Sequence, residues 1–207
     1  MNFFSTDGPV YRFLSRFWDV LRLNFYWLLF SLPIVTIGAS TTAAFSIALK
    51  MADETEGYIF RPFVKAFREN FKQGTVVGLC NVVFAYAVYL DFQLFHAVEG
   101  NPIYFLIFGI VGCFICVGAF LYPYALLARY ENTIVNTLKN SFEISVRYFG
   151  RTLMVVCVVA VEVLLMMFNS TTIFIGLLIG PACIIYTISG PANYIFRDIE
   201  RKNSEGN

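Results

Sequence analysis

The chain has 207 residues, of which 58% are apolar and only 14% charged, and its mean hydropathy is +0.67. Soluble domains carry roughly 45–50% apolar and about 25% charged residues, and a disordered chain needs low hydrophobicity with high charge, so both classes are excluded. Fifteen Lys+Arg against fourteen Asp+Glu leave a net charge of +1, which gives no basic field for nucleic acid, and the five Cys lie in apolar runs rather than in a secreted disulfide framework.

What remains is an all-α polytopic membrane bundle in a single integral membrane domain, residues 1–207. In chain order, Val10–Arg22 reads as a lead-in helix: Tyr11, Leu14, Trp18, Leu21 and Phe25 mark one helical stripe, and Arg12, Ser15, Arg16, Asp19 and Arg22 another. Leu23–Leu49 is the next apolar stretch, with Asn24 near its start and Pro33 inside it. At about 1.5 Å per residue a straight helix of this length would overrun a bilayer core, and Pro33 would kink or break it. Two readings stand: one Pro-broken span, or a hairpin that turns near Pro33–Gly38 and returns. A signal peptide is not expected, because the polar lead is long, Pro33 interrupts the apolar core and further spans follow.

Arg61–Gln73 is a second lead-in, with Phe60, Phe63, Phe67 and Phe71 on one stripe, Lys65, Arg68 and Lys72 away from it, and Pro62 suited to a first helical position. Thr75–Val98 and Pro102–Ala128 are long enough to span, since about 20 mostly apolar residues suffice. Thr133–Phe149 is the third lead-in, with Val135, Leu138, Phe142, Val146 and Phe149 at helical spacing. Thr152–Phe168 and Thr172–Phe196 complete four full spans. Basic residues opposite bulky apolar ones fit interfacial helices in the headgroup plane. Residues 10–50 thus form the N-terminal lead-in and membrane hairpin, 61–129 and 133–197 two repeat units, and 198–207 a tail. The repeat extends to the exits, where Pro123 precedes Arg129 and Glu131 as Pro191 precedes Arg197 and Glu200.

Lys and Arg cluster in Lys50–Lys72, in Arg129–Arg151 and after Phe196, whereas the turns at Glu99–Pro102 and Asn169–Thr171 have none. The positive-inside rule therefore puts both long loops and the C-terminus in the cytoplasm. The hairpin reading also puts Arg12, Arg16 and Arg22 there, which favours it. Its turn backbone would need protein or water around it, and the hydroxyls of Thr36, Ser40, Thr41 and Thr42 supply part of that need.

Three stretches carry a family resemblance: Met1–Pro9, Leu32-Pro33-Ile34-Val35-Thr36-Ile37-Gly38-Ala39-Ser40-Thr41-Thr42-Ala43, and Phe63–Gln73. Together they resemble the YesL-like family, a domain of unknown function (number 624), over essentially the whole chain. The stretch holding Leu32, Pro33, Thr36, Gly38, Ser40 and Thr41 is the most specific. The resemblance implies a small integral protein of the bacterial cytoplasmic membrane, without an assigned activity, of a kind often encoded beside carbohydrate ABC importers and polysaccharide-degrading enzymes. It offers no catalytic residues.

The residues themselves hold little chemistry. There is one His, so one chain cannot build a multi-His metal site, and no cofactor is expected. Asp91, His96 and Glu99 read as a polar cluster near a span end. Cys113 and Cys116 sit among apolar neighbours and read as packed thiols rather than a redox pair, which would want an accessible electropositive setting. Gly109, Gly112 and Gly118, and the pair Gly176 and Gly180, read as helix-contact faces, the latter also as a face for homodimerisation. Eight aromatics, including Trp18, Trp27, Tyr122, Tyr124 and Tyr194, read as interfacial belts. Glu162 lies near mid-membrane, where an acid costs roughly 2.5–3.5 kcal/mol. It is expected to face the bundle interior, with Asn81, Tyr86 or a carbonyl freed by Pro181 as its partner.

Three functions compete. The chain is an accessory subunit to an ABC importer, with partners on its cytoplasmic side; or a small oligomeric transporter or channel with Glu162, Asn81 and Asp91 as polar candidates; or a membrane enzyme. The third lacks a nucleophile–base pair or an acid pair and is not expected. Neither long loop carries the Glu-Ala-Ala-type signature of an importer permease, so the chain is not read as the permease itself.

Overall fold

In a computed structural model, the structure describes residues 9–52, 58–97 and 103–205, with the backbone alone at 9–13. Met1–Gly8, the turn at Glu99–Pro102 and the side chains of Tyr11 and Arg12 therefore lie outside it. The described residues are all helical apart from short connections: α1 (Pro9–Phe30), a one-turn 3-10 helix (Ile34–Thr36), α2 (Ile37–Ala52), α3 (Phe60–Glu69), α4 (Phe71–Ala97), α5 (Ile103–Phe120), α6 (Pro123–Arg129), α7 (Ile134–Arg147), α8 (Phe149–Met166) and α9 (Ser170–Glu205).

Leu23–Leu49 is not one helix. Lead-in and first apolar half fuse into α1, which ends at Phe30, and the chain turns through Ser31–Thr36 before α2 begins. Pro33 cannot donate to a helix, and Thr36 closes the turn: its hydroxyl lies 2.6 Å from the Phe30 carbonyl oxygen and 2.7 Å from that of Pro33. Thr41 and Thr42 donate to the Ile37 and Gly38 carbonyls (2.7 and 2.9 Å), while the buried Ser40 hydroxyl has no partner. The tail is no separate segment either, because α9 runs through Pro181 and Pro191 and on to Glu205.

α2 is the centre of the molecule and touches α1, α3, α4, α6 and α9. Ala39, Ser40, Thr42, Ala43, Ala44 and Ala48 are fully buried. Small side chains let backbones approach, and the closest approach is to α4. A Cβ on Gly38 would overlap the Gly74 carbonyl oxygen, and one on Gly78 would lie 2.9 Å from Gly38 Cα. Further along, Phe45 stacks on Tyr124 with ring planes 5° apart. Tyr122 and Tyr124 are therefore core residues, not belt residues.

The other long helices turn apolar side chains outward, such as Val82 and Val83 on α4, Phe108 on α5, Leu164 on α8 and Phe174 on α9. Five segments are long and apolar enough to cross a membrane: Ile34–Ala52, Phe71–Ala97, Ile103–Arg129, Phe149–Met166 and Ser170–Glu205. The stripes of the lead-in helices divide. On α3, Phe63 is fully buried, its ring against Tyr26 and Phe30 of α1. On α1 the stripe is exposed at Trp18 and Phe25, and the buried face holds Val20, Leu23 and Asn24; on α7 Val135 and Val146 are exposed, Leu138 and Phe142 are partly buried, and Thr137, Ser141, Ile144 and Ser145 are buried. Lipid rewards that arrangement, because apolar surface costs nothing there and buried polar groups find partners inside.

Candidate functional site

The polar side chains of the spans do not converge on one another. Glu162 on α8 accepts a hydrogen bond from the Thr187 hydroxyl of α9 (2.6 Å), and its other oxygen is buried with no partner. None of the expected partners serves it. Asn81 donates to the Tyr124 hydroxyl (3.3 Å), Tyr86 is exposed, and the carbonyl freed by Pro181 belongs to Asn24. Asp91 is half-buried, while His96 Nδ1 engages the Phe92 carbonyl oxygen (2.8 Å) rather than Asp91. Cys113 is exposed rather than packed between helices, and all five cysteines are free.

Two residues that sequence reasoning passed over brace the broken spans. Pro181 has no N–H, so the Leu177 carbonyl loses its helical donor. The fully buried Asn24 carboxamide enters that gap: Nδ2 donates to Leu177 O (3.2 Å) and Leu178 O (2.7 Å), and Oδ1 accepts from Ala182 N–H (3.0 Å). Ser141 of α7 does the same at the α5–α6 break. Tyr122 N–H donates to Ser141 Oγ (3.3 Å), which donates to Gly118 O (3.0 Å), and Ser145 Oγ adds a second bond there (3.1 Å). Such insertions into the helical ladder are a known cause of kinks. The glycine faces are likewise filled from within the chain: Phe92 covers Gly109, Val88 covers Gly112, Phe142 covers Gly118 and Met166 covers Gly176 and Gly180. Met166 thus lies against the Gly176–Gly180 face within the chain. The motif residues split in two. Leu32, Ile34 and Val35 are exposed at the turn, and Thr36, Gly38 and Ser40 are buried.

The end of α9 meets the α6–α7 connection and the third lead-in. Arg129 at the end of α6 forms a bidentate pair with Glu200 of α9 (3.0 and 3.2 Å) and donates to Asn193 Oδ1 (2.6 Å). The exits noted as repeats thus pair across the repeat, Arg of the first with Glu of the second. Tyr130 also donates to Glu200 (2.6 Å). Burial, reinforced by that hydrogen bond to a carboxylate, pushes its phenol up to about 12. Tyr148 donates to Asp198 (2.8 Å), and Arg151 stacks on the Tyr194 ring at 3.5 Å. Beside this network lies a cleft of about 360 Å³ between α6, α7 and α9. Leu126, Ile144 and Phe196 form its floor, and Asn132, Asn140, Glu143 and Arg147 its rim. A second groove separates 67–73 from 127–133 and is bridged by Gln73 Nε2 donating to the Asn132 carbonyl (3.0 Å).

A helical bundle with several membrane-length apolar helices and outward apolar faces defines a multi-pass membrane protein. Residues 20–92 match the family model described as Protein of unknown function, DUF624. The matched stretch holds α1 from Val20, all of α2 and α3 and most of α4, and the YesL-like resemblance is borne out across it. No curated protein and no solved structure matches the chain.

Proposed function

We propose that this chain is an accessory membrane subunit, without catalysis of its own, that holds a subunit of a carbohydrate ABC importer at the side that carries the α6–α7 connection and the end of α9. That side is the cytoplasmic face of a bacterial membrane, with both termini there. One contrast carries the reading. The polar side chains within the spans, Glu162, Asn81 and Asp91, lie apart from one another, whereas open polar surface lies among the ends of α3, α6 and α9 and along α7. A transporter needs the reverse, polar groups aligned along a path. The family resemblance supplies the importer association, and the positive-inside rule supplies the orientation.

Tagged purification from native membranes in mild detergent, followed by mass spectrometry, tests this. Importer permease or ATPase subunits are expected at near-equal stoichiometry, and Arg147→Glu at the cleft rim should reduce their recovery. Recovery of this chain alone at a defined mass would overturn the reading. The unpartnered Glu162 oxygen supports one alternative, a small oligomeric transporter using that carboxylate. Under it, Glu162→Gln abolishes transport while leaving assembly intact.

A further inference from the structure

We propose that the groove between the α3–α4 bend and the α6–α7 connection binds the phosphodiester headgroup of an anionic phospholipid. Its depth selects the ligand class. Phe71 opens one membrane-length segment and Arg129 closes another, and both residues line the groove. A groove framed by two span ends lies at headgroup level, where phospholipid is the most abundant ligand. The size fits as well, since the groove encloses about 1370 Å³ and has Phe67, Phe71 and Leu127 on its walls for the glycerol and upper acyl carbons.

Charge selects the headgroup. Arg68 and Lys72 lie on either side of the bend at Asn70, and among the described residues neither forms an ion pair. Arg129 is committed to Glu200, and Glu69 to Lys65 at 3.8 Å. Glu131 is the remaining acid, so two uncommitted cations face one uncommitted carboxylate. Basic pockets between membrane helices are suited to anionic headgroups. This assignment stands apart from the importer reading and survives its failure.

The test is native mass spectrometry of the purified full chain in mild detergent, titrated with phosphatidylglycerol, phosphatidylethanolamine or inorganic phosphate. Wild type should retain phosphatidylglycerol about tenfold more strongly than phosphatidylethanolamine, the scale expected for one or two basic residues near a headgroup. Arg68→Gln with Lys72→Gln should erase the preference, and Lys139→Gln, a basic change outside the groove, should keep it. Equal retention of both lipids by wild type would overturn the proposal, a readout that needs no variant to fold. So would an undiminished preference in the double variant. Displacement of bound phosphatidylglycerol by equimolar inorganic phosphate would assign the groove to a water-borne phosphate and overturn the lipid assignment.

Discussion

α2 and α4 are both apolar enough to cross a membrane, yet 61% of the apolar window of α2 is buried in the protein against 6% of that of α4. Hydropathy cannot separate them, but side-chain size can. The inner part of α2 is Gly, Ala, Ser and Thr, whereas the outer part of α4 is Val, Phe, Tyr and Leu. In lipid no hydrophobic force drives a helix inward, so position is decided by how closely backbones approach and how many polar groups are satisfied. The two helices meet where α4 itself turns small, at Gly74 and Gly78.

The largest expected effect breaks this contact. Gly38→Val places carbon against the Gly74 backbone, which has no side chain to yield. The loss should reach or exceed the top of the roughly 1–3 kcal/mol seen for overpacked cores, read as loss of the monodisperse peak and a lower thermal midpoint in detergent. Val83→Ala on the outer face of α4 should change stability by less than about 0.5 kcal/mol. If the two variants lose comparable stability, burial in α2 is not what distinguishes the helices.

Asn24 extends the comparison to polar burial. Asn24→Leu keeps the branched outline in a bulkier side chain but leaves two carbonyls and one N–H of α9 without partners. The expected cost is about 2 kcal/mol, measured as a shifted unfolding midpoint. Asn24→Asp should not rescue it, because a carboxylate cannot donate to Leu177 and Leu178. Ser141→Ala should cost less, about 1 kcal/mol, because Ser145 still serves Gly118 and only the Tyr122 N–H is stranded. If Asn24→Leu proves the milder of the two, the bracing of α9 comes from elsewhere.

The spans and the break at Pro33 were legible because lipid imposes length and apolarity, and because Pro has no donor. The Gly38 contact was half legible. Gly38 stood in the family stretch, and its partners Gly74 and Gly78 form a G-x-x-x-G pair open to reading. The braces were not legible. Pro181 and Pro123 announce that a polar partner is needed, but Asn24 is 158 positions from Ala182, and Ser141 is 19 from Tyr122. Nothing local joins them. The stripes on α1 and α7 were found by periodicity, yet Trp18, Phe25, Val135 and Val146 face outward while Leu138 and Phe142 pack inward, because periodicity locates a face without saying whether lipid or protein lies against it. The partner of Glu162 was missed for a related reason. Asn81, Tyr86 and the Pro181 gap were all chemically suitable, and packing had already committed two of them.

The smallest effect lies at the edge of the membrane, where the contrast between α2 and α4 no longer applies. Tyr130 follows the last residue of α6, donates to Glu200 and is partly desolvated, so its phenol is held near 12 instead of its ordinary value of 10. A raised phenol pKa means that the folded state keeps a proton that the unfolded state releases from about pH 10 upward. Its stabilising share is therefore complete below pH 10 and is lost between 10 and about 12. The contribution is small because the Arg129–Glu200 pair beside it is partly exposed to water. The difference between wild type and Tyr130→Phe in tyrosinate absorbance isolates this group from the other tyrosines. It should rise well above pH 10 in the folded protein, and Glu200→Gln should bring it down by removing the carboxylate charge while Arg129 remains. A wild-type transition centred on 10 would mean that the Tyr130–Glu200 contact is open to water, and that the cross-repeat junction is looser than its distances imply.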